Sequence, residues 1–310
     1  MMDSENRNRP EIGRPVNVTS LSFANLGLGE VINLVDTQLV DGTDLIILPE
    51  SWMGMENPEP LDGPTLTAMS SLASLHNSYL LCTLPRQERG RTFTSMVLLN
   101  RQGQVTGCYN KHFPYWDELW LDPPVIPGGE IPVWEVDFGR LGGAICFDMN
   151  FPEVWQRLGE QNAEIVAWSS AVSGGLSLQS HAIQNHYYII TANLTADCMA
   201  FDISGELILH EKSDTVNISR IQVDLDRGIY HFNFNLEKLD KLLAEHGNQL
   251  EVERRLPKEE WFILRAKQPG ISARRLAKEY GLEELPAYIR RSRKHINHLR
   301  VQAHKKEQSK

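Results

Sequence analysis

The chain has 310 residues, an apolar fraction of 41% and a formal net charge of −9. That length holds one large domain or two small ones, and the composition is ordinary for a soluble globular protein. No stretch reaches the ~18–20 apolar residues of a membrane span, so a membrane protein is excluded.

The polar start from Met1 to Pro15 lacks an apolar signal core, so no secretory signal is expected. Cys82, Cys108, Cys146 and Cys198 make neither a disulfide framework nor a Cys-x-x-Cys pair. A reducing, cytoplasmic setting is the expectation. Charge is unevenly placed: residues 1–253 carry −19 and residues 254–310 carry +10. Such a basic tail either docks on an acidic body, its own or a partner's, or meets a polyanion. Docking is the expectation.

In chain order, residues 1–14 read as a disordered lead-in. A strand over 16–23 alternates Val16, Val18, Leu21 and Phe23, and a helix over 28–40 places Val31, Leu34, Val35 and Leu39 on one face. The apolar run Asp44–Leu48 predicts a strand buried on both faces. A helix over 65–76 and a strand over 79–84 follow. Hairpins are predicted around Asn100-Arg101-Gln102-Gly103 and around Gly139-Arg140. Residues 151–162 read as a helix, with Asn150 as N-cap candidate and Pro152 in its first turn. A strand (165–169), a helix (178–186) and a strand (188–193) come next. A hairpin (199–201 with 207–210) and a strand (218–223) complete a mixed sheet covered by helices. From about Gly228 the strands are expected to stop. Helices over 236–245, 272–280 and 285–301 would then form a basic helical C-terminal extension, residues 228–310, behind a catalytic domain of residues 15–227.

Glu50, Lys111 and Cys146 each sit at the C-terminal end of a predicted strand, where side chains from separate strands converge. Cys146 follows Gly142 and Gly143 and precedes a sharp turn into a helix. A nucleophile at such a turn is exposed, and the backbone N–H groups after it can face an oxyanion. A small buried hydrophobe is the plainer fate of a free cysteine, and it suits Cys82, Cys108 and Cys198. Glu50 is a carboxylate against an apolar strand, where burial raises its pKa toward proton-transfer use. Lys111 is one cation within an aromatic stretch, Tyr109 to Trp116. His181 and His186 stand five apart on a helix, which does not serve a metal.

Leu48-Pro49-Glu50, Tyr109-Asn110-Lys111-His112 and Gly143-Ala144-Ile145-Cys146-Phe147-Asp148 resemble the Glu–Lys–Cys signatures of the nitrilase, or carbon–nitrogen hydrolase, superfamily. Leu61-Asp62-Gly63-Pro64, Pro127-Gly128-Gly129 and Asp137-Phe138-Gly139 agree with it. The resemblance covers about residues 15–226. It implies an α/β, four-layer αββα sandwich, a homodimer or larger homo-oligomer, and no metal or organic cofactor. It makes Cys146 the nucleophile, Glu50 the general base and Lys111 the oxyanion stabiliser with the Phe147 N–H. Glu118 becomes the second acidic residue, with Asp117 as its rival. The ammonium and the carboxylate base are expected to ease thiolate formation. Trp52, Tyr115, Trp116, Trp168 and Ser170 are candidates to line the substrate pocket.

The nitrile-cleaving branch carries Trp-Glu after the cysteine, and Phe147-Asp148 stands here. Carbamoyl-amino-acid hydrolases place arginines where Met149 and Asn150 stand. The run Lys111–Trp116, similar to aliphatic amidases, points to a small carboxamide, with an N-carbamoyl compound as alternative. Ala273 to Leu282 resembles the first half of a helix-turn-helix, but Pro286 and Arg290 break the second half. A regulatory or DNA-binding protein is therefore the lesser reading, and nucleic acid is not an expected partner.

Overall fold

The structure, a computed structural model, describes residues 11–308, with side chains through residue 303. Of the lead-in, residues 1–10 lie outside the described residues. In chain order the elements are β1 (Pro15–Phe23), α1 (Leu28–Gln38), β2 (Leu45–Glu50), α2 (Pro64–Leu75), β3 (Tyr79–Glu88), β4 (Arg91–Leu99) and β5 (Val105–Asn110). Next come β6 (Val133–Val136), β7 (Gly139–Ile145), α3 (Pro152–Glu160), β8 (Ile165–Ser170), α4 (Leu176–Asn185), β9 (Tyr188–Asn193), β10 (Asp197–Phe201), β11 (Leu207–Lys212) and β12 (Val216–Asp224). The last are β13 (Gly228–His231), α5 (Leu236–His246), β14 (Leu250–Leu256), β15 (Trp261–Ala266), α6 (Ala273–Glu279) and α7 (Leu285–Gln308). They make two compact units: Val16–Val223, and the run from Asp224 together with residues 11–15.

The larger unit holds two six-stranded sheets, ordered β12-β1-β2-β3-β4-β5 and β11-β10-β9-β8-β7-β6. Strand alternation decides what each face meets. In β1, Leu21 and Phe23 join Val31, Val35, Leu66 and Met69 in the core beneath α1 and α2. Ser20 and Ser22 point the other way and bridge to the second sheet: Ser20 Oγ donates to Thr191 O (2.6 Å) and Ser22 Oγ to Asp197 O (3.2 Å). Ser169 Oγ returns a bond from β8 to Leu48 O (2.8 Å). The outer face of the second sheet packs Val166 and Trp168 against Val154, Trp155, Leu158 and Leu178 of α3 and α4. Each such buried large side chain contributes about 1.5–3 kcal/mol. The layers run helix, sheet, sheet, helix, as the α/β sandwich expectation required.

Three local expectations change. Strand β2 runs on through Glu50, because Glu50 pairs with Thr83 past a bulge. The hairpin of β3 and β4 is longer than expected, paired from Leu80–Leu99 to Glu88–Arg91. Helix α3 starts at Pro152 with Phe151, not Asn150, in the N-cap place.

The C-terminal unit is not purely helical. Antiparallel strands in the order β13-β15-β14 carry Tyr230, Phe262 and Leu264, which pack with Leu239 and Leu242 of α5 and with Leu276 and Ala277 of α6. Strand β14 escapes pattern reading because its charges pair across the sheet rather than alternate with apolar residues. Glu251 accepts from Arg265 (2.5 Å), and a bulge lies between Val252 and Arg254. Pro286 opens α7 instead of interrupting it, since proline tolerates a first turn. Its neighbour Tyr288 stacks on His231 (centroids 4.1 Å apart). Among the described residues no helix is long and apolar enough to cross a membrane.

Candidate active site

Three strand ends bring the predicted residues together. Glu50 closes β2, Lys111 follows β5, and Cys146 follows β7 from the other sheet. Lys111 is 1% exposed, and its Nζ donates to Glu50 Oε1 (2.7 Å) and to Glu118 Oε2 (2.6 Å). Glu50 Oε2 accepts the Ala171 N–H (3.0 Å). Glu118 is fixed by Thr94 Oγ1 and by the Tyr115 N–H (2.6 Å). Asp117, its rival, is exposed on the same short 3-10 turn. The lysine loop is tied by its own N–H to Thr94 O (2.8 Å) and by the Gly128 N–H to Lys111 O (2.9 Å). A Cβ at Gly128 would run into Asn110 O, which accounts for the glycine there.

Cys146 has φ +42°, a left-handed backbone that a non-glycine residue holds only under constraint. The constraint comes from Asp148. Its Oδ2 accepts from Tyr109 Oη (2.7 Å) and the Ile145 N–H (2.9 Å), and its Oδ1 accepts the Phe113 N–H (2.9 Å). Trp155 Nε1 donates to its backbone oxygen (3.0 Å). Asp148 thus fastens the cysteine turn to the residues on both sides of Lys111. Gly143 lets β7 approach the facing sheet, since a Cβ there would strike Met96 Sδ.

Burial raises the Glu50 carboxyl, with Lys111 acting in the opposite direction. Burial also works against the Lys111 ammonium, but Glu50 and Glu118 outweigh it and hold its pKa above the ordinary lysine value. The Cys146 thiol is pushed up to about 11, by burial first and by the Glu50 charge second. The expected easing of thiolate formation is therefore reversed at rest. One ammonium shared between two carboxylates does not outweigh burial and the nearer negative charge.

The other candidates divide. Ser170 is buried with its hydroxyl in reach of Cys146 Sγ, and Trp168 Nε1 donates to Cys146 O (3.2 Å). Phe147 begins the cysteine turn and meets the Tyr115 ring edge-on (5.5 Å). Trp116 is 63% exposed and leans on Trp120. Trp52 packs edge-on against Phe23 in the core under α1 and α2. Asp148, Tyr109, Thr94 and the Ala171 N–H belong to the site without having been singled out as site residues. Among the described residues no group of three His, Cys, Asp or Glu could hold a metal ion.

The carbon–nitrogen hydrolase profile matches residues 26–228. The chain belongs to the carbon–nitrogen hydrolase family. Among its relatives is a deaminated glutathione amidase of Synechocystis sp., 26% identical over 208 residues, which are 59% of this chain and 76% of that protein. The deaminated glutathione amidase of Mus musculus is 31% identical over 180 residues, 49% of this chain and 55% of that protein. A carbon–nitrogen hydrolase from Helicobacter pylori shares the fold, with TM-score 0.61 at 18% identity over 69% of this chain and 90% of that one. The protein is accordingly an amidase-type carbon–nitrogen hydrolase of the nitrilase superfamily. The family match stops at the C-terminal unit.

Proposed function

We propose that the protein hydrolyses a small carboxamide through a Cys146 thioester, releasing ammonia or an amine. The observation that carries this reading is the Lys111 ammonium clamped between Glu50 and Glu118 beside the strained Cys146 turn. Cys146 Sγ attacks the carbonyl carbon as Glu50 takes the thiol proton. The oxyanion forms beside Lys111 Nζ and the Phe147 N–H, and such donors are each worth about 3–4 kcal/mol of barrier. Glu50 then gives its proton to the leaving nitrogen as the C–N bond breaks. In the second half Glu50 takes a proton from water, the water oxygen displaces sulfur, and the acid leaves with the thiol restored.

Glu118 acts by holding Lys111 in place. The amide-hydrolysing names of the Synechocystis and mouse relatives support a C–N bond of the amide kind. Met149 and Asn150, standing after the cysteine turn, carry no charge for a substrate carboxylate. Ammonia release from a panel of carboxamides, ureido compounds and nitriles tests the reading, with Cys146→Ala as control. Turnover confined to the ureido or nitrile members overturns the carboxamide assignment.

A further inference from the structure

A second polar feature adjoins the general base. A cleft of about 240 Å³ opens under the loop after β2, lined among others by Ser51, Trp52, Glu59, Thr65, Thr83 and Leu84. Three side-chain atoms facing this region are buried and have no hydrogen-bond partner: Ser51 Oγ, Trp52 Nε1 and Thr83 Oγ1. Trp52 is 8% exposed and Thr83 is 0% exposed. Buried polar atoms are almost always paired, and leaving them bare is costly. Three in one cleft call for an occupant.

The cleft lies against the catalytic machinery. Thr83 is the register partner of Glu50 on the adjacent strand, so the two are one strand spacing, about 4.8 Å, apart. The Ser51 N–H donates to Thr83 O (2.8 Å), and Ser51 and Trp52 directly follow Glu50.

The chemistry of the lining selects the ligand. An indole N–H only donates, so the occupant must offer an acceptor to Trp52. The Ser51 and Thr83 hydroxyls can donate or accept, so they suit an oxygen that also bears hydrogen. Glu59 contributes a negative charge, already engaged by the Thr65 N–H (2.9 Å) and Thr65 Oγ1 (2.6 Å). No lysine, arginine or histidine lines the cleft. An anionic group would meet Glu59 with no cation to offset it.

We propose that this cleft binds the far, uncharged, oxygen-bearing end of the substrate's acyl chain, a hydroxyl or a second carboxamide. The proposal rests on the amide-hydrolase reading and names the kind of amide the site prefers. A water molecule is the competing occupant.

The test compares an unsubstituted four-carbon carboxamide with its ω-hydroxy, ω-carboxamide and ω-carboxylate counterparts. Wild-type protein is expected to favour the ω-hydroxy and ω-carboxamide compounds by about tenfold or more in kcat/KM, and to disfavour the ω-carboxylate. Trp52→Phe and Thr83→Val each remove a hydrogen-bonding group while keeping most of the shape, and each should bring that ratio close to one. Calorimetry on Cys146→Ala reads the same preference without turnover. A wild-type ratio near one, or a preference surviving both variants, overturns the proposal and leaves water as the occupant. A calorimetric preference in a protein that cleaves none of the four amides overturns the amide reading alone and supports the cleft assignment.

Discussion

Asp148 joins the nucleophile's turn to the lysine loop, and its removal has a calculable signature. Burial raises its carboxyl from the ordinary value near 3.8 to about 6, against the hydrogen bonds from Tyr109, Ile145 and Phe113 that favour the ion. The folded state therefore keeps a proton between those values that the unfolded chain has released. This carboxyl contributes stability at low pH that is lost as pH rises through 6, on the order of 3 kcal/mol in full. Asp148→Asn is neutral at every pH and escapes that cost. It meets another: wherever its amide nitrogen sits, two hydrogens face the N–H of Ile145 or of Phe113, at about 1–3 kcal/mol for the lost bond. Near pH 7.5 the two effects largely cancel. At pH 5, one unit below the folded value, wild type regains roughly 1.4 kcal/mol that the variant cannot. Urea denaturation of both proteins at pH 7.5, 6 and 5 should show the wild-type advantage widening on acidification. Activity should fall about tenfold or more at all three, since the cysteine turn loses its register with Lys111. A stability difference that stays constant or narrows toward pH 5 refutes the argument.

Three further outcomes are expected. Glu50→Gln should lose about a hundredfold or more in turnover, yet an activated ester should leave a persistent Cys146 thioester visible by intact-protein mass spectrometry. Near wild-type turnover would remove Glu50 as base. Iodoacetamide should inactivate by labelling Cys146 before Cys82, Cys108 or Cys198, at a rate that climbs with pH toward the thiol value of about 11; a plateau near neutrality would mean a resting thiolate. Light scattering at micromolar concentration should give a homodimer or larger, because α4 leaves Leu176 and Ile183 exposed; a monomer mass would sink that expectation.

Periodicity located the body of the fold because its strands and helices bury whole apolar faces. Leu45–Leu48 and Ile165–Trp168 are continuous apolar runs, and α1 shows its buried face in Val31 and Val35. It missed β13, β14 and β15, where Glu251 and Arg265 stabilise the pairing through charges that local pattern does not register. At the site, Glu50, Lys111 and Cys146 were legible because the chemistry needs those residue types at strand ends. Glu118 was distinguishable from Asp117 only in three dimensions, since a 3-10 turn buries one and exposes its neighbour. Thr94 lies in mid-strand and gives no local sign of its bond to Glu118. Asp148 was in plain view, but as one residue of a motif; its reach to Tyr109 and Phe113 depends on two sheets coming together.

The raised thiol and the doubly held lysine explain one another. Lys111 carries one positive charge against the Glu50 and Glu118 carboxylates, so the buried cluster is already net −1 with Cys146 protonated. A resting thiolate would add a second negative charge in a place where water is excluded, and burial together with Glu50 opposes it. In the proposed reaction the proton moves from sulfur to Glu50 as the carbonyl oxygen becomes an oxyanion, so the cluster stays at −1 throughout. The charge has only changed position, from the Glu50 side of Lys111 to the substrate side. With Glu50 neutralised, Lys111 loses its closest competitor and its field falls on the oxyanion, while Glu118 still fixes the ammonium through Oε2. A preorganised donor of this kind stabilises the transition state without stabilising a thiolate beforehand. The same arrangement protects the nucleophile from oxidation and alkylation between turnovers, because the thiol ionises only when a substrate carbonyl is present to receive the charge.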